Sequence, residues 1–147
     1  MEFDDLYQEI ILDHYKHPRN FDQPCPRCTA VEADNPVCGD HVELHVMVNP
    51  EGKVEQVSFK GSGCAISMAS ASMMTEVVKG RSVTEAEKII QDVLAVMRGE
   101  KEPDVLDAYG DLTALRGVSQ YPVRIKCATL AWHAMEDALK QAEQKRS

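Results

Sequence analysis

Three cysteines and one aspartate stand where their chemistry could be used. Cys64 follows the glycine loop Gly61-Ser-Gly63 and opens the run Ala-Ile-Ser-Met-Ala-Ser-Ala-Ser-Met-Met74, whose small residues suit a closely packed helix. Neither glycine carries a Cβ, so the backbone can turn tightly there and approach a bound group. At a helix start the unpaired N–H groups and the positive end of the macrodipole stabilise negative charge, which makes Cys64 a ready metal ligand or nucleophile. Taken alone, it reads equally well as a small buried hydrophobe. Cys38 and Asp40 lie in Asn35-Pro-Val-Cys-Gly-Asp40. In an extended chain these i and i+2 side chains point to the same side, and Gly39 lets the backbone bend around a shared ion. Cys127, in Arg124-Ile-Lys-Cys127, falls within the first two turns of a helix that Pro122 opens.

Together Cys38, Asp40, Cys64 and Cys127 offer three thiolates and a carboxylate from three separate elements, a sufficient set for tetrahedral Zn²⁺. The spacing is not that of a zinc finger. Ligands scattered one per loop suggest a site that can open, and a carboxylate is the ligand most easily exchanged. Arg124 and Lys126, beside Cys127, are placed to offset the excess negative charge of such a site, although without the cysteines they would read as ordinary surface charge. Met68, Met73 and Met74 are thioethers at helical spacing and are taken as flexible core filler.

Cys25-Pro-Arg-Cys28 has the spacing of a thioredoxin-type redox motif or half a zinc knuckle, with His14 and His17 available in principle to complete the latter. No helix follows to activate the first thiol, and the pair reads as exposed thiols in a variable loop. His14 and His17 each read as a surface or packed histidine.

The elements that must carry these residues are legible from periodicity. Leu6, Ile10, Ile11, His14 and Tyr15 mark an amphipathic helix over residues 5–16, stopped by Pro18. Residues 19–36 read as a loop with an edge strand near 30–34. Val42, Leu44, Val46 and Val48 alternate with mostly polar neighbours, Asn49-Pro-Glu-Gly-Lys53 is a turn, and Val57 and Phe59 alternate in the strand that follows. A three-stranded sheet results, about the minimum for stability when a helix covers one face. A helix over 65–79 ends at Gly80. Ser82-Val-Thr-Glu85 is a capping box opening a helix with the stripe Ala86, Ile89, Ile90, Val93, Leu94 and Met97. Residues 100–119 turn polar and predict a mobile stretch with one short helical turn at 111–116, and the charged tail after Lys140 predicts fraying.

At 147 residues, 44% apolar and 27% charged, the chain predicts one globular domain over 1–147. A net charge of −8 argues against nucleic acid or an anionic membrane as partner. The acidic N-terminus and the lack of a long apolar run predict a cytoplasmic protein. In a reducing compartment, five cysteines are expected as ligands or reactive thiols rather than disulfide partners.

At Asn-Pro-Val-Cys38-Gly-Asp40, Gly-Ser-Gly-Cys64-Ala-Ile-Ser-Met-Ala-Ser-Ala-Ser-Met-Met and Arg124-Ile-Lys-Cys127-Ala-Thr-Leu-Ala-Trp, the chain resembles the IscU/NifU-like iron–sulfur cluster assembly family. His14-Tyr-Lys-His-Pro-Arg-Asn20 is similar to the family's first helix and its exit. Lys126 replaces the histidine that precedes the third cysteine in IscU-type scaffolds, and an extra stretch separates the second and third cysteines. Both features are those of the SufU-type branch.

The resemblance implies an α+β fold of the SufE/NifU-like kind, a small antiparallel sheet with helices packed on one face. It also implies Zn²⁺ held by Cys38, Asp40, Cys64 and Cys127. The implied activity is sulfur transfer: persulfide sulfur taken from a PLP-dependent cysteine desulfurase and passed to downstream cluster-assembly proteins. Among the three thiols, Cys64 and Cys127 are anchored at helix starts, whereas Cys38 lies on a loop flanked by Pro36 and Gly39. Cys38 is therefore the expected sulfur acceptor. The alternatives are a scaffold assembling a transient [2Fe–2S] cluster on the same residues and a merely structural zinc protein.

Overall fold

The computed structural model describes residues 5–36 and 39–146. In order they form helix α1 (Asp5–Lys16), strands β1 (Thr29–Asn35), β2 (Asp40–Val48) and β3 (Val54–Ser62), and helices α2 (Ala65–Val78) and α3 (Val83–Met97). A 3₁₀ segment (Pro103–Gln120) and helix α4 (Pro122–Arg146) complete the chain. The strands make one antiparallel sheet in the order β1-β2-β3, as the alternation of apolar residues predicts.

Register follows burial. Val42, Leu44 and Val46 are fully buried, and Leu44 stands opposite Val31 on one side and Phe59 on the other. A one-residue slip would turn this whole set to the opposite face. The turn between β2 and β3 is built by Asn49, whose Oδ1 accepts the N–H groups of Glu51 and Lys53, each at 3.0 Å. Gly52 supplies the positive φ of +80° that the turn needs. Met47 and Val48 carry a bulge, which ends the strict alternation of β2.

Helices cover the face bearing Val42, Leu44 and Val46: α4 packs on β1 and β2, and α2 lies between β3, α1 and α4. Every residue of α2 from Ile66 to Thr75 is buried, so this is a central helix rather than a one-faced one. Its serines do more than allow close approach. The Ser70 hydroxyl donates to the Ala128 carbonyl at 2.6 Å and accepts the indole N–H of Trp132 at 2.9 Å, locking α2 to α4 in the core. Met68, Met73 and Met74 are buried, as read from their spacing. The Ser82–Glu85 capping box is present at α3.

Two expectations are corrected. Residues 103–120 are 3₁₀ rather than a mobile stretch with one turn. They bury Leu106, Leu112, Ala114, Leu115 and Val118, with a kink at Tyr109 and Gly110. The repeat of about three residues, interrupted by Gly110, hides this burial from a search for α-helical spacing. The segment is tied to α3 by Asp92, which receives hydrogen bonds from Lys101, Tyr109 and Lys88. Helix α4 continues to Arg146, through the charged tail expected to fray, and Ala142 remains buried there. Among the described residues no helix is long and apolar enough to cross a membrane.

Candidate metal centre

Cys64 stands at a helix start as expected, but Gly61 and Ser62 are the last paired residues of β3 rather than a loop, and Gly63 alone separates the strand from Cys64. Cys64 is the N-cap of α2, with extended backbone (φ −72°, ψ 166°), and its Sγ accepts the N–H of Ser67 at 3.4 Å. This satisfies one of the donors that a helix start leaves open. Asp40 is the first residue of β2, lies on the helix-covered face with Val42, and is 1% exposed. Its Oδ1 accepts the backbone N–H of Cys64 at 3.0 Å, so the end of the hairpin and the start of α2 are joined directly at the site.

Gly63 makes that bond possible. A Cβ at position 63 would overlap Asp40 Oδ1 and come within 3.0 Å of its Cγ. Gly61 is as constrained, because a Cβ there would run into the His41 carbonyl. Cys127 arrives from α4, fully buried in its second turn, with Sγ 4.0 Å from the Val123 carbonyl oxygen.

The ligand atoms of Asp40, Cys64 and Cys127 all lie within 4.8 Å of one another. Tetrahedral Zn²⁺ would hold such atoms about 3.5–3.8 Å apart, so closure needs only small side-chain adjustments. Asp40 Oδ2 is buried and, among the described residues, has no hydrogen-bond partner. A buried carboxylate oxygen without a donor is costly, and a cation would supply the missing interaction. Two sulfurs and one oxygen form a donor set suited to zinc, one short of the four ligands of a tetrahedral site. Cys38, the fourth residue of the sequence-predicted set, lies outside the described residues. Next to it, Gly39 has a φ of +72°, and its N–H donates to the Asn35 carbonyl at 2.8 Å.

A hollow of about 400 Å³ opens beside the group, lined by Cys64, Ala65, Ile66, Arg124 and residues of α1 including Ile11 and Leu12. Arg124 therefore shares a wall with Cys64, whereas Lys126 is an exposed residue one position before Cys127.

A second gathering, His14, Glu76 and Asp111, also has ligand atoms within 4.8 Å of one another. His14 is fully buried. The Arg19 N–H donates to Ser72 Oγ at 2.8 Å, Ser72 Oγ is hydrogen-bonded to His14 Nδ1 at 2.8 Å, and His14 Nε2 is hydrogen-bonded to Asp111 Oδ2 at 2.8 Å. The chain of bonds ties α1, α2 and the 3₁₀ segment together. His14 is thus the packed histidine expected, and His17 is exposed. Neither completes a knuckle with Cys25 and Cys28, which are joined to each other as a disulfide, contrary to the expectation of thiols. The turn that brings them together is closed by the Cys28 N–H donating to the Cys25 carbonyl at 3.1 Å, a contact that spacing alone does not reveal.

Sequence reasoning missed Ser67 and Ser70. Ser67 could have been found as the residue three beyond a capping side chain. Ser70 could not, because its partners are about sixty positions away.

A family model described as the NifU-like N terminal domain matches residues 6–147. This chain belongs to that family. It is 43% identical over 140 residues to the Bacillus subtilis (strain 168) protein named zinc-dependent sulfurtransferase SufU, covering 95% of this chain and 93% of the relative. It is 39% identical over 137 residues to the Streptococcus pyogenes serotype M1 protein named iron–sulfur cluster assembly scaffold protein IscU, covering 93% and 84%. Among solved structures, a candidate iron–sulfur cluster assembly scaffold for the SUF system of Fervidobacterium islandicum AW-1 aligns with a TM-score of 0.78. It is 30% identical, and the alignment covers 89% of this chain and 94% of that one. The three-stranded antiparallel sheet with its helices is the α+β fold expected of the family.

Proposed function

We propose that this chain is a zinc-bound sulfur acceptor in iron–sulfur cluster assembly, acting as a single domain in the cytoplasm with a PLP-dependent cysteine desulfurase as its donor. The observation that carries the reading is Asp40. Its carboxylate is buried, one oxygen is fixed by the Cys64 N–H, and the other has no hydrogen-bond partner among the described residues while two thiols lie within 4.8 Å. A cation bound by Asp40, Cys64, Cys127 and Cys38 removes that deficit, and the name of the Bacillus subtilis relative makes zinc the cation of choice. Zinc at these residues would keep the sulfurs in the ionised, nucleophilic form.

The reacting group is Cys38. Its thiolate attacks the outer sulfur of the desulfurase persulfide. A bond forms between Cys38 Sγ and that sulfur, the donor's S–S bond breaks, and the donor cysteine leaves as a thiolate. Cys38 then carries the persulfide that downstream cluster-assembly proteins consume. Cys64 and Cys127 stay in place because each is anchored in a helix, the first by the Ser67 N–H and the second by burial in α4.

A second reading, a scaffold that assembles a transient [2Fe–2S] cluster on the same residues, is favoured by the similarity to the Streptococcus pyogenes protein. Two measurements separate them. Protein purified without added metal should contain about one zinc per chain, and anaerobic reconstitution with iron and sulfide should give no lasting visible chromophore. A stable iron–sulfur spectrum with little zinc would establish the scaffold instead.

A further inference from the structure

The Cys25–Cys28 pair lies on the sheet face opposite the candidate metal centre. Asn20 and Asp22 bond the edge of β3 at Phe59, after which the chain crosses the uncovered face toward β1. It is pinned there by the Ser58 hydroxyl donating to the Gln23 carbonyl and the Gln56 side-chain amide donating to the Pro24 carbonyl, each at 3.3 Å. His45 and Ser58 belong to this outer face, whereas Asp40 and Val42 belong to the inner one. Neither cysteine is joined to Cys64 or Cys127.

We propose that Cys25–Cys28 is a thiol–disulfide exchange site that receives an incoming thiolate at Cys25. Three observations support this. The bridge closes a ring of only four residues, for which the restriction placed on the unfolded chain is at its smallest, so stabilisation of the fold is a weak reason for it. The turn is also closed by the Cys28 N–H donating to the Cys25 carbonyl, and Pro24 and Pro26 restrict its backbone; both favour re-closure of an opened bridge, which reversible exchange requires. Finally, Cys25 lines a hollow of about 340 Å³ with Asp22, Pro26, His45, Ser58 and Lys60, and Cys28 is not among its lining residues. A nucleophile entering the hollow meets Cys25.

The step balances with two equivalents of thiol. The first thiolate bonds to Cys25 Sγ, the Cys25–Cys28 bond breaks, and Cys28 leaves as a thiolate that takes a proton from solvent. A second thiolate attacks the sulfur of the bound reductant, releasing a small disulfide and the Cys25 thiolate. Two thiols are oxidised and one protein disulfide is reduced. The same chemistry could be delivered by a small thiol or by a protein dithiol.

The test uses the full-length, zinc-loaded protein equilibrated in graded mixtures of reduced and oxidised 2-mercaptoethanol, and separately with a thioredoxin-type dithiol protein. Alkylation and peptide mass spectrometry then follow. Cys25 and Cys28 should open and close together as a two-electron couple with zinc content unchanged, and the faster of the two reductants identifies the source. With the small disulfide as reagent, Cys25 in Cys28→Ser should react roughly tenfold faster than Cys28 in Cys25→Ser. A bridge that opens only in denaturant, a pair that never oxidises, or faster reaction at Cys28 would each overturn the proposal. Both outcomes are independent of sulfur transfer at Cys38.

Discussion

Gly63→Ala tests the geometry on which the proposed metal centre depends. The added Cβ would overlap Asp40 Oδ1, the atom that accepts the Cys64 N–H at 3.0 Å, so the carboxylate must rotate away or β2 must separate from α2. A hydrogen bond to a charged acceptor is worth about 1.5–3 kcal/mol. If that orientation energy is lost from the bound state, zinc affinity falls by roughly 10–100-fold, the range typical of disrupting the partner of a metal-bound carboxylate. Competition against a chromophoric chelator measures it. Gly99→Ala is the control: φ is +77°, nothing lies within 4 Å of the new Cβ, and the cost should be about 1–2 kcal/mol of fold stability with zinc affinity unchanged. If Gly63→Ala bound zinc within twofold of wild type, Asp40 would not be a ligand held by this contact.

Other outcomes follow from the same structure. Removing the metal with a chelator should lower the melting temperature by roughly 5–10 °C, because zinc at the proposed centre would bind the folded chain far better than the unfolded one. Ser70→Ala removes the acceptor of the Trp132 indole N–H and should destabilise the fold by about 1–3 kcal/mol, with a shift in the emission of the chain's one tryptophan. Burial raises the pKa of Asp92, but hydrogen bonds from Lys101, Tyr109 and Lys88 outweigh it and hold the carboxyl below its ordinary 3.8, at about 2. With the folded value depressed, this stabilisation is complete above about pH 4 and is lost as pH falls through about 2. Because both lysines are substantially exposed, it amounts to about 1–2 kcal/mol. Urea unfolding of metal-free protein between pH 5 and 2 should therefore show a smaller loss of stability in Asp92→Asn than in wild type, by about that amount; Asp13, Glu43, Glu85 and Glu100 are also held below their ordinary values and keep part of the slope.

The parts of the fold that were legible in the sequence are those with a local code. Val42, Leu44 and Val46 alternate, Ser82 and Glu85 cap a helix, and Cys64 reads as a helix start; all are present, although Gly61 and Ser62, read as loop, end strand β3. Asp40 and Cys127 could be nominated from their neighbours, and the structure brings both to Cys64. What was not legible depends on partners distant in the chain. His14, Ser72 and Asp111 meet across 58 and 97 positions, and the value of Gly63 lies in the space it leaves for Asp40. The 3₁₀ segment was missed because its period is not that of an α-helix, and the Cys25–Cys28 bridge because a two-residue spacing fits a ligand pair, a redox pair or exposed thiols equally well.

The central claim is sulfur acceptance at Cys38, and mapping of the transferred sulfur tests it most directly. The zinc-loaded protein is incubated with a PLP-dependent cysteine desulfurase and cysteine, alkylated under non-reducing conditions, and digested for mass spectrometry. One added sulfur on Cys38 is expected, with none on Cys64 or Cys127, and Cys38→Ser should accept no sulfur while keeping its fold. Sulfur found on Cys64 or Cys127, with Cys38→Ser still accepting it, would contradict the account.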